Sequence, residues 1–144
     1  ETSTATAPAV AQIVEATPGV GTVAKALGAL SDQAARPTVM MNKLTWSVFK
    51  AAQYANGYGA DPFEGLNVVF NNSIKSFASA TTGDTYAIVG DFGYGAQANF
   101  PNGSEIKFTL DDKSLAEKDL IKIVGRQYVG HAVVAPKAFV KIQK

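Results

Sequence analysis

The residues in this chain that could do chemistry are few and poorly placed to act together. The segment GDFGYG, from Gly90 to Gly95, is the first candidate, because glycines let backbone amides approach a phosphate. Its spacing is GxxGxG, however, with no Lys-Ser or Lys-Thr to hold phosphate and magnesium, and no long helix follows to supply a positive end. Turn geometry is the expected role of these glycines, with a small-ligand-binding α+β domain using this segment as a rival reading. His131 is the only histidine, so a Ser-His-Asp arrangement would need that one ring, and no carboxylate lies near it in sequence. The absence of cysteine removes thiol nucleophiles, thiolate zinc sites and disulfides. Asp61, Glu64, Asp84, Asp91, Asp111 and Asp112 are spread over separate turns without calcium-loop spacing. The expectation is a protein that is not an enzyme and holds neither cofactor nor metal.

Trp46 falls in an apolar stripe with Phe49 and reads as a core anchor. Lys137, Lys141 and Lys144 lack the interleaved aromatics of a nucleic-acid patch and read as a solvated strand face. The 144 residues fit one domain, which would bury roughly 70% of its unfolded surface. Hydrophobic residues make up 47% and charged residues 17%, so much of the surface must be neutral or covered by partners. A net charge of +1 provides no field to draw in nucleic acid or an anionic membrane. No apolar stretch approaches the roughly 20 residues needed to span a bilayer, and the opening ETSTATAPAV has neither the basic start nor the apolar centre of a signal peptide. No membrane partner is expected. The chain begins with Glu1, and a piece of a longer polypeptide is the expected origin.

Glu1 to Pro18 reads as an extended connector in which Val10, Ile13 and Val14 fit a short helix or an alternating strand almost equally. Thr22 can cap a helix carrying Val23, Ala26, Leu27 and Leu30, with Arg36-Pro37 closing the segment. A buried strand follows over Thr38 to Met41, and Asn42 caps a second helix with Leu44, Val48 and Ala51 or Ala52 on one side. Tyr54 to Gly65 is an aromatic loop, Leu66 to Phe70 a core-like strand, Asn71 to Asp84 a polar passage and Thr85 to Val89 another core-like strand. Pro101-Asn102-Gly103 predicts a hairpin into the alternating strand Glu105 to Leu110. Asp111 or Asp112 can cap a brief helix through Glu117. The ending VGRQYVGHAVVAPKAFVKIQK holds two apolar runs, Val129 to Val134 and Ala138 to Ile142, which leaves a great deal of strand-forming sequence in need of a partner.

The order VAKALGAL, PTVMMNKLTWSVF, GLNVVF, YAIVGDF, EIKFTL and VVAPKAFVKI closely resembles the C-terminal half of the major capsid proteins of tailed bacteriophages, the Hong Kong 97 type. The matching positions are Met40-Met41-Asn42 with Trp46, Gly65 to Val69 with Asn67 where proline is common, Val89 to Phe92, and Pro136 to Lys141. The resemblance implies an α+β fold, a mixed β-sheet flanked by helices, forming the axial domain of that capsid fold over residues 20–129. It implies that residues 1–19 are a connector from a missing peripheral domain and that residues 130–144 are a tail strand returning to complete that domain's sheet.

The implied function is a structural subunit of a phage or prophage icosahedral shell that encloses DNA, located in the virion after assembly in the host cytoplasm. Its partners would be copies of itself in pentamers and hexamers, a scaffold or portal protein, and packaged DNA held only non-specifically. An encapsulin-like nanocompartment shell is the second reading. Some members of the family weld subunits through an isopeptide bond from lysine to asparagine aided by a glutamate. The positions here that match the asparagine and glutamate are Asp119 and Arg126, and the lysine's loop is not in this sequence, so no cross-linking is implied. Loops at the end of a sheet can reach a symmetry axis, and Tyr and Phe suit interface cores. That makes Tyr54, Tyr58 and Phe63 of the aromatic loop, with Ser76, Phe77 and Thr82 of the polar loop, the expected subunit contacts.

Overall fold

The computed structural model describes residues 10–101, 103, 105–111 and 121–144. They fall into two compact units, one over Glu1–Ala96 and Val133–Lys144, the other over Gln97–Ala132.

The larger unit is built on a mixed sheet of five strands: β1 (Ala11–Val14), β2 (Thr38–Met41), β3 (Asn67–Phe70), β4 (Thr85–Gly90) and β9 (Phe139–Gln143), in the order β1-β9-β4-β2-β3. Strand β4 runs antiparallel to both of its neighbours, β2 and β9, whereas β1 is parallel to β9 and β3 is parallel to β2. Side chains alternate between the faces of a strand, so the register aligns Ile13, Ile142, Ala87, Met41 and Phe70 in one row. Ala11, Val140, Val89, Val39 and Val68 form the next row on the same face.

Helices α1 (Thr22–Gly28) and α2 (Lys43–Ala55) cover that face, with Val23, Ala26 and Phe49 wholly buried against it. Val23 and Phe49 each contribute about 1.5–3 kcal/mol relative to exposure, and the smaller Ala26 about 0.8 kcal/mol. The opposite face carries the row Gln12, Lys141, Ile88, Met40 and Val69, of which only Ile88 and Met40 are half-buried. The helices therefore lie on one side of the sheet.

Local sequence explains how these elements begin. Asn42 caps α2 by accepting the Leu44 amide at 3.0 Å, as its position predicts. The buried Thr45 hydroxyl, one turn on, accepts the Phe77 amide at 2.9 Å and fastens the polar loop to the helix. The expected cap of α1 differs: Gly21 holds the cap position, and Thr22 instead accepts the Gly19 amide at 2.9 Å. Helix α1 also ends at Gly28, well before Arg36-Pro37.

The β4–β9 register slips between Thr85 and Ala87. This bulge turns Tyr86 as well as Ala87 toward the core. The Tyr86 ring stands edge-on to Phe77 at 5.2 Å, and its hydroxyl donates to the Glu15 carbonyl at 3.2 Å. Burial, with the Glu15 charge adding to it, pushes the phenol up to about 12.

Several sequence expectations are corrected here. Residues 139–143 are an interior strand of a sheet made by this chain, so the second apolar run of the expected 130–144 tail does not complete another domain's sheet. The reason is alternation: Val140 and Ile142 bury against the helical face while Lys141 faces solvent, which suits a one-sided sheet. The connector expected over residues 1–19 supplies β1, where alternation prevails over the helical option and Ala11 and Ile13 face the core. Strand β3 is an exposed edge rather than a core strand. Of the hairpin expected across Pro101 to Ser104, Asn102 and Ser104 lie outside the described residues, and the strands on either side are not paired with each other: β5 (Ala96–Asn99) pairs with β8 (Gly130–Val133) and β6 (Lys107–Asp111) pairs with β7 (Lys122–Arg126). The helix expected from Asp111 or Asp112 through Glu117 lies outside the described residues apart from Asp111, which ends β6.

The glycines of GDFGYG answer to β9. A Cβ on Gly90 would lie 2.3 Å from Phe139 Cδ1 and 2.6 Å from the Ala138 carbonyl oxygen, and one on Gly95 would lie 2.3 Å from Ala138 Cβ. Gly90→Ala and Gly95→Ala should each lower stability by about 1–3 kcal/mol, the usual effect of overpacking. Urea titration checks this; a midpoint equal to the parent's would show that β9 is not packed against the turn.

Candidate assembly surface

The turn that first suggested anion binding is already occupied by its own carboxylate. Asp91 caps the single-turn helix α3 (Phe92–Gly95), its Oδ1 accepting the Gly93 and Tyr94 amides at 3.0 and 3.2 Å. Its Oδ2 accepts the Arg36 amide at 3.0 Å. These bonds, the Arg36 amide foremost, hold the carboxyl below its ordinary value, and Asp91 is buried. A bound phosphate would have to displace Asp91 from the same amides, so the glycine-rich segment is a structural joint. His131 lies exposed on β8, and Trp46 packs half-buried with its ring edge-on to Phe70 at 6.1 Å.

The aromatic loop is held stiffly. Lys50 of α2 reaches Asp61 at 2.7 Å and Gln53 at 3.1 Å, and sits 5.8 Å from the centres of both the Trp46 and Phe63 rings. Gln53 donates to the Gly59 carbonyl at 3.0 Å, and Asp61 accepts the Phe63 amide at 3.0 Å. Phe63 itself is a core residue, 7% exposed and edge-on to Phe49 at 5.4 Å, which corrects its expected role as a surface contact. Tyr54 and Tyr58 do face solvent, with ring centres 5.0 Å apart, and Tyr58 is 78% exposed. Tyr58 also adopts φ +58°, a left-handed conformation that disfavours a side chain by about 1–2 kcal/mol. The bonds of Gln53 to Gly59 and of Lys50 to Asp61 link the segments on either side of Tyr58, and the two aromatic rings lie beside each other on the loop's outer surface.

The polar loop lies at the other end of the sheet, because it leaves the C-terminal end of β3 whereas the aromatic loop enters at its N-terminal end. Asp84 organises it, accepting Lys75 Nζ at 2.8 Å and the Thr81 amide and hydroxyl at 2.9 and 2.8 Å. Lys75, first among these partners, holds the Asp84 carboxyl well below the usual carboxylate range. Of the expected contacts here, Ser76 is buried and Phe77 packs on the core beneath Lys144 Nζ, 4.5 Å from its ring centre. Ser76 is thereby covered, Phe77 is half-buried and Thr82 is exposed. The two expected contact loops are thus on opposite ends of one unit and cannot form one patch.

A surface that sequence reasoning missed lies in the smaller unit. Pairing β6 with β7 places Phe108 opposite Gly125 and Leu110 opposite Ile123. Alternation puts Ile106, Phe108, Leu110, Ile121 and Ile123 on one face of this two-stranded ribbon. All five are at least half exposed, Phe108 and Leu110 at 69%. Alternation marks Glu105 to Leu110 as a strand, but nothing in the sequence pairs it with residues 122–126, so the common face is not legible there. Asp119, the position matched to a cross-linking asparagine, lies outside the described residues, and Arg126 is exposed on β7.

The profile of the Phage capsid family matches residues 2–144. Among solved structures, the chain is similar to the "Capsid of empty GTA particle computed with C5 symmetry", at TM-score 0.73 and 17% identity, covering 94% of this chain and 50% of that one. It is similar to a chain of "Gordonia phage Cozz", at TM-score 0.59 and 16% identity, covering 97% of this chain and 50% of the other. It is also similar to the "holo-SrpI encapsulin complex from Synechococcus elongatus PCC 7942", at TM-score 0.65 and 12% identity over 93% of this chain and 52% of that chain. At such identities the likeness is one of fold. The chain spans about half the length of the solved chains it matches. A search of curated proteins finds no match.

The Lys50 clamp has a testable pH signature. Lys50 holds the Asp61 carboxyl below its ordinary 3.8, so the ion pair contributes stability above that value and loses it as pH falls through the lower, folded value. The Phe63 amide resonance should titrate with a midpoint below 3.8, moving up toward 3.8 in Lys50→Met. A midpoint unaffected by Lys50→Met would remove Lys50 as the organiser of the loop.

Proposed function

The chain belongs to the phage capsid family, and from that premise we propose that it is part of a structural subunit of an icosahedral phage or prophage shell. The observation that carries this reading is the ordered apolar surface left facing solvent in the smaller unit. A lone two-stranded ribbon is marginal in water. Five large apolar side chains on one of its faces need a cover. The half of the subunit that lies outside this chain is that cover: the matched chains are about twice as long. The role expected for the tail strand, joining a second domain, passes to the ribbon of residues 105–126.

The preorganised Tyr54–Tyr58 pair, with Thr82 at the opposite end, supplies contacts between copies in pentamers and hexamers. Rotational contacts of this kind join unlike patches of neighbouring copies, and a rigid aromatic pair loses little entropy on docking. Shell building needs no catalytic group, so the subunit acts by association alone, in the virion, after assembly in the host cytoplasm. A scaffold or portal protein is a further partner. A nanocompartment shell is the second reading, supported by the encapsulin likeness, which is weaker than that to the GTA capsid; particles containing protein cargo and no DNA would favour it.

In a subunit spanning the full length of its relatives, Phe108→Ser with Ile123→Ser should prevent particle formation while moving the stability of the five-stranded unit by less than about 0.5 kcal/mol. Normal particles from that variant, seen by electron microscopy, would overturn the ribbon's role. Tyr58→Ser should likewise spare folding and impair assembly, whereas Phe63→Ser should cost about 3–5 kcal/mol in stability because it empties a core site.

A further inference from the structure

The ribbon's second face is charged, and one of its rungs is unfavourable by itself. Residues alternate with the apolar set, so Lys107, Thr109 and Asp111 of β6 share this face with Lys122, Val124 and Arg126 of β7. Asp111 stands opposite Lys122, a complementary rung. Lys107, however, stands opposite Arg126. Directly opposed side chains in an antiparallel pair have Cβ atoms about 4.5–5.5 Å apart, and like charges there repel. Neither Lys107 nor Arg126 forms an ion pair or side-chain hydrogen bond with any described residue. With Glu105, Thr109, Gln127 and Tyr128 they line an open cleft of about 200 Å³.

We propose that the Lys107–Arg126 rung binds a phosphodiester group of a polynucleotide backbone. An anion placed between the two cations converts their mutual repulsion into two attractions. The planar Arg126 fork can grip two phosphate oxygens while Lys107 acts as a compact point charge. The Thr109 and Tyr128 hydroxyls, lining the same cleft, add neutral donors. Glu105 sets the preference: two cations and one carboxylate leave a single positive charge in the cleft, which matches a singly charged diester better than a free phosphate or monoester of nearly double charge. The inference rests on the shell reading only in that the apolar face is covered, which leaves this face as the accessible one.

The test is direct binding of an unassembled subunit, spanning the full length of its relatives, to fluorescent duplex DNA, followed by anisotropy over a range of salt, so it does not depend on whether particles form. Lys107→Gln and Arg126→Gln should each weaken binding and each reduce the slope of log affinity against log salt by about 1. Glu105→Gln should tighten binding several-fold, a gain that misfolding cannot mimic. Inorganic phosphate at matched ionic strength should compete poorly. A Lys107→Gln/Arg126→Gln double variant with unchanged affinity and salt slope would overturn the proposal, as would free phosphate displacing DNA as effectively as unlabelled duplex does.

Discussion

Strand β9 lies between β1 and β4 with Val140 and Ile142 wholly buried, so the last residues of the chain join the segment ahead of the first helix to the rest of the sheet. Remove β9 and β1 has no neighbour, while β4 loses the partner that its bulge at Tyr86 is fitted to. The turn at Gly90 to Gly95 also depends on it, because Phe139 and Ala138 fill the space that side chains there would take. The sheet therefore closes only once β9 is available, and its key contacts join residues far apart in sequence, which favours slow closure.

The two units differ in how completely their apolar surface is satisfied. In the larger one the helical face of the sheet is sealed by Val23, Ala26 and Phe49, and among the described residues no buried side-chain nitrogen or oxygen lacks a hydrogen-bond partner. In the smaller one Phe108, Leu110 and Ile123 face water. A protein built to associate needs both properties: a self-sufficient frame that keeps surfaces in register, and surfaces that remain unsatisfied until a partner covers them. The Tyr54–Tyr58 pair belongs to the second kind, although it is mounted on the first through Lys50, Gln53 and Asp61.

What could be read from the sequence was the local part. Asn42 capping α2, the strands around Thr38 and Thr85, and the turn role of GDFGYG all depend on neighbours a few residues away, and the structure shows each. Pairing could not be read in the same way. Period-2 alternation marks Ala138 to Ile142 and Glu105 to Leu110 as strands but names no partner, and the partners in the structure, β1 and β4 for the first and β7 for the second, lie far away in sequence or carry no pairing signal. Phe63 and Ser76 misled for a related reason: a loop residue's burial depends on what the helix beneath it presents, here Phe49 and Thr45. Thr22 shows that a residue fit to cap can lie one position inside the helix and bond backward instead.

Native-state amide hydrogen exchange on the 144-residue chain tests the central claim that the five-stranded sheet is complete in this chain while the ribbon awaits a partner. The account predicts that the amides of Val140 and Ile142 exchange only through global unfolding, together with those of β4, whereas the amides of β6 and β7 exchange through local opening in this chain and gain protection once the rest of the subunit covers them. Rapid exchange at Val140 and Ile142, or protection in the ribbon of the 144-residue chain equal to that of the sheet, would contradict it.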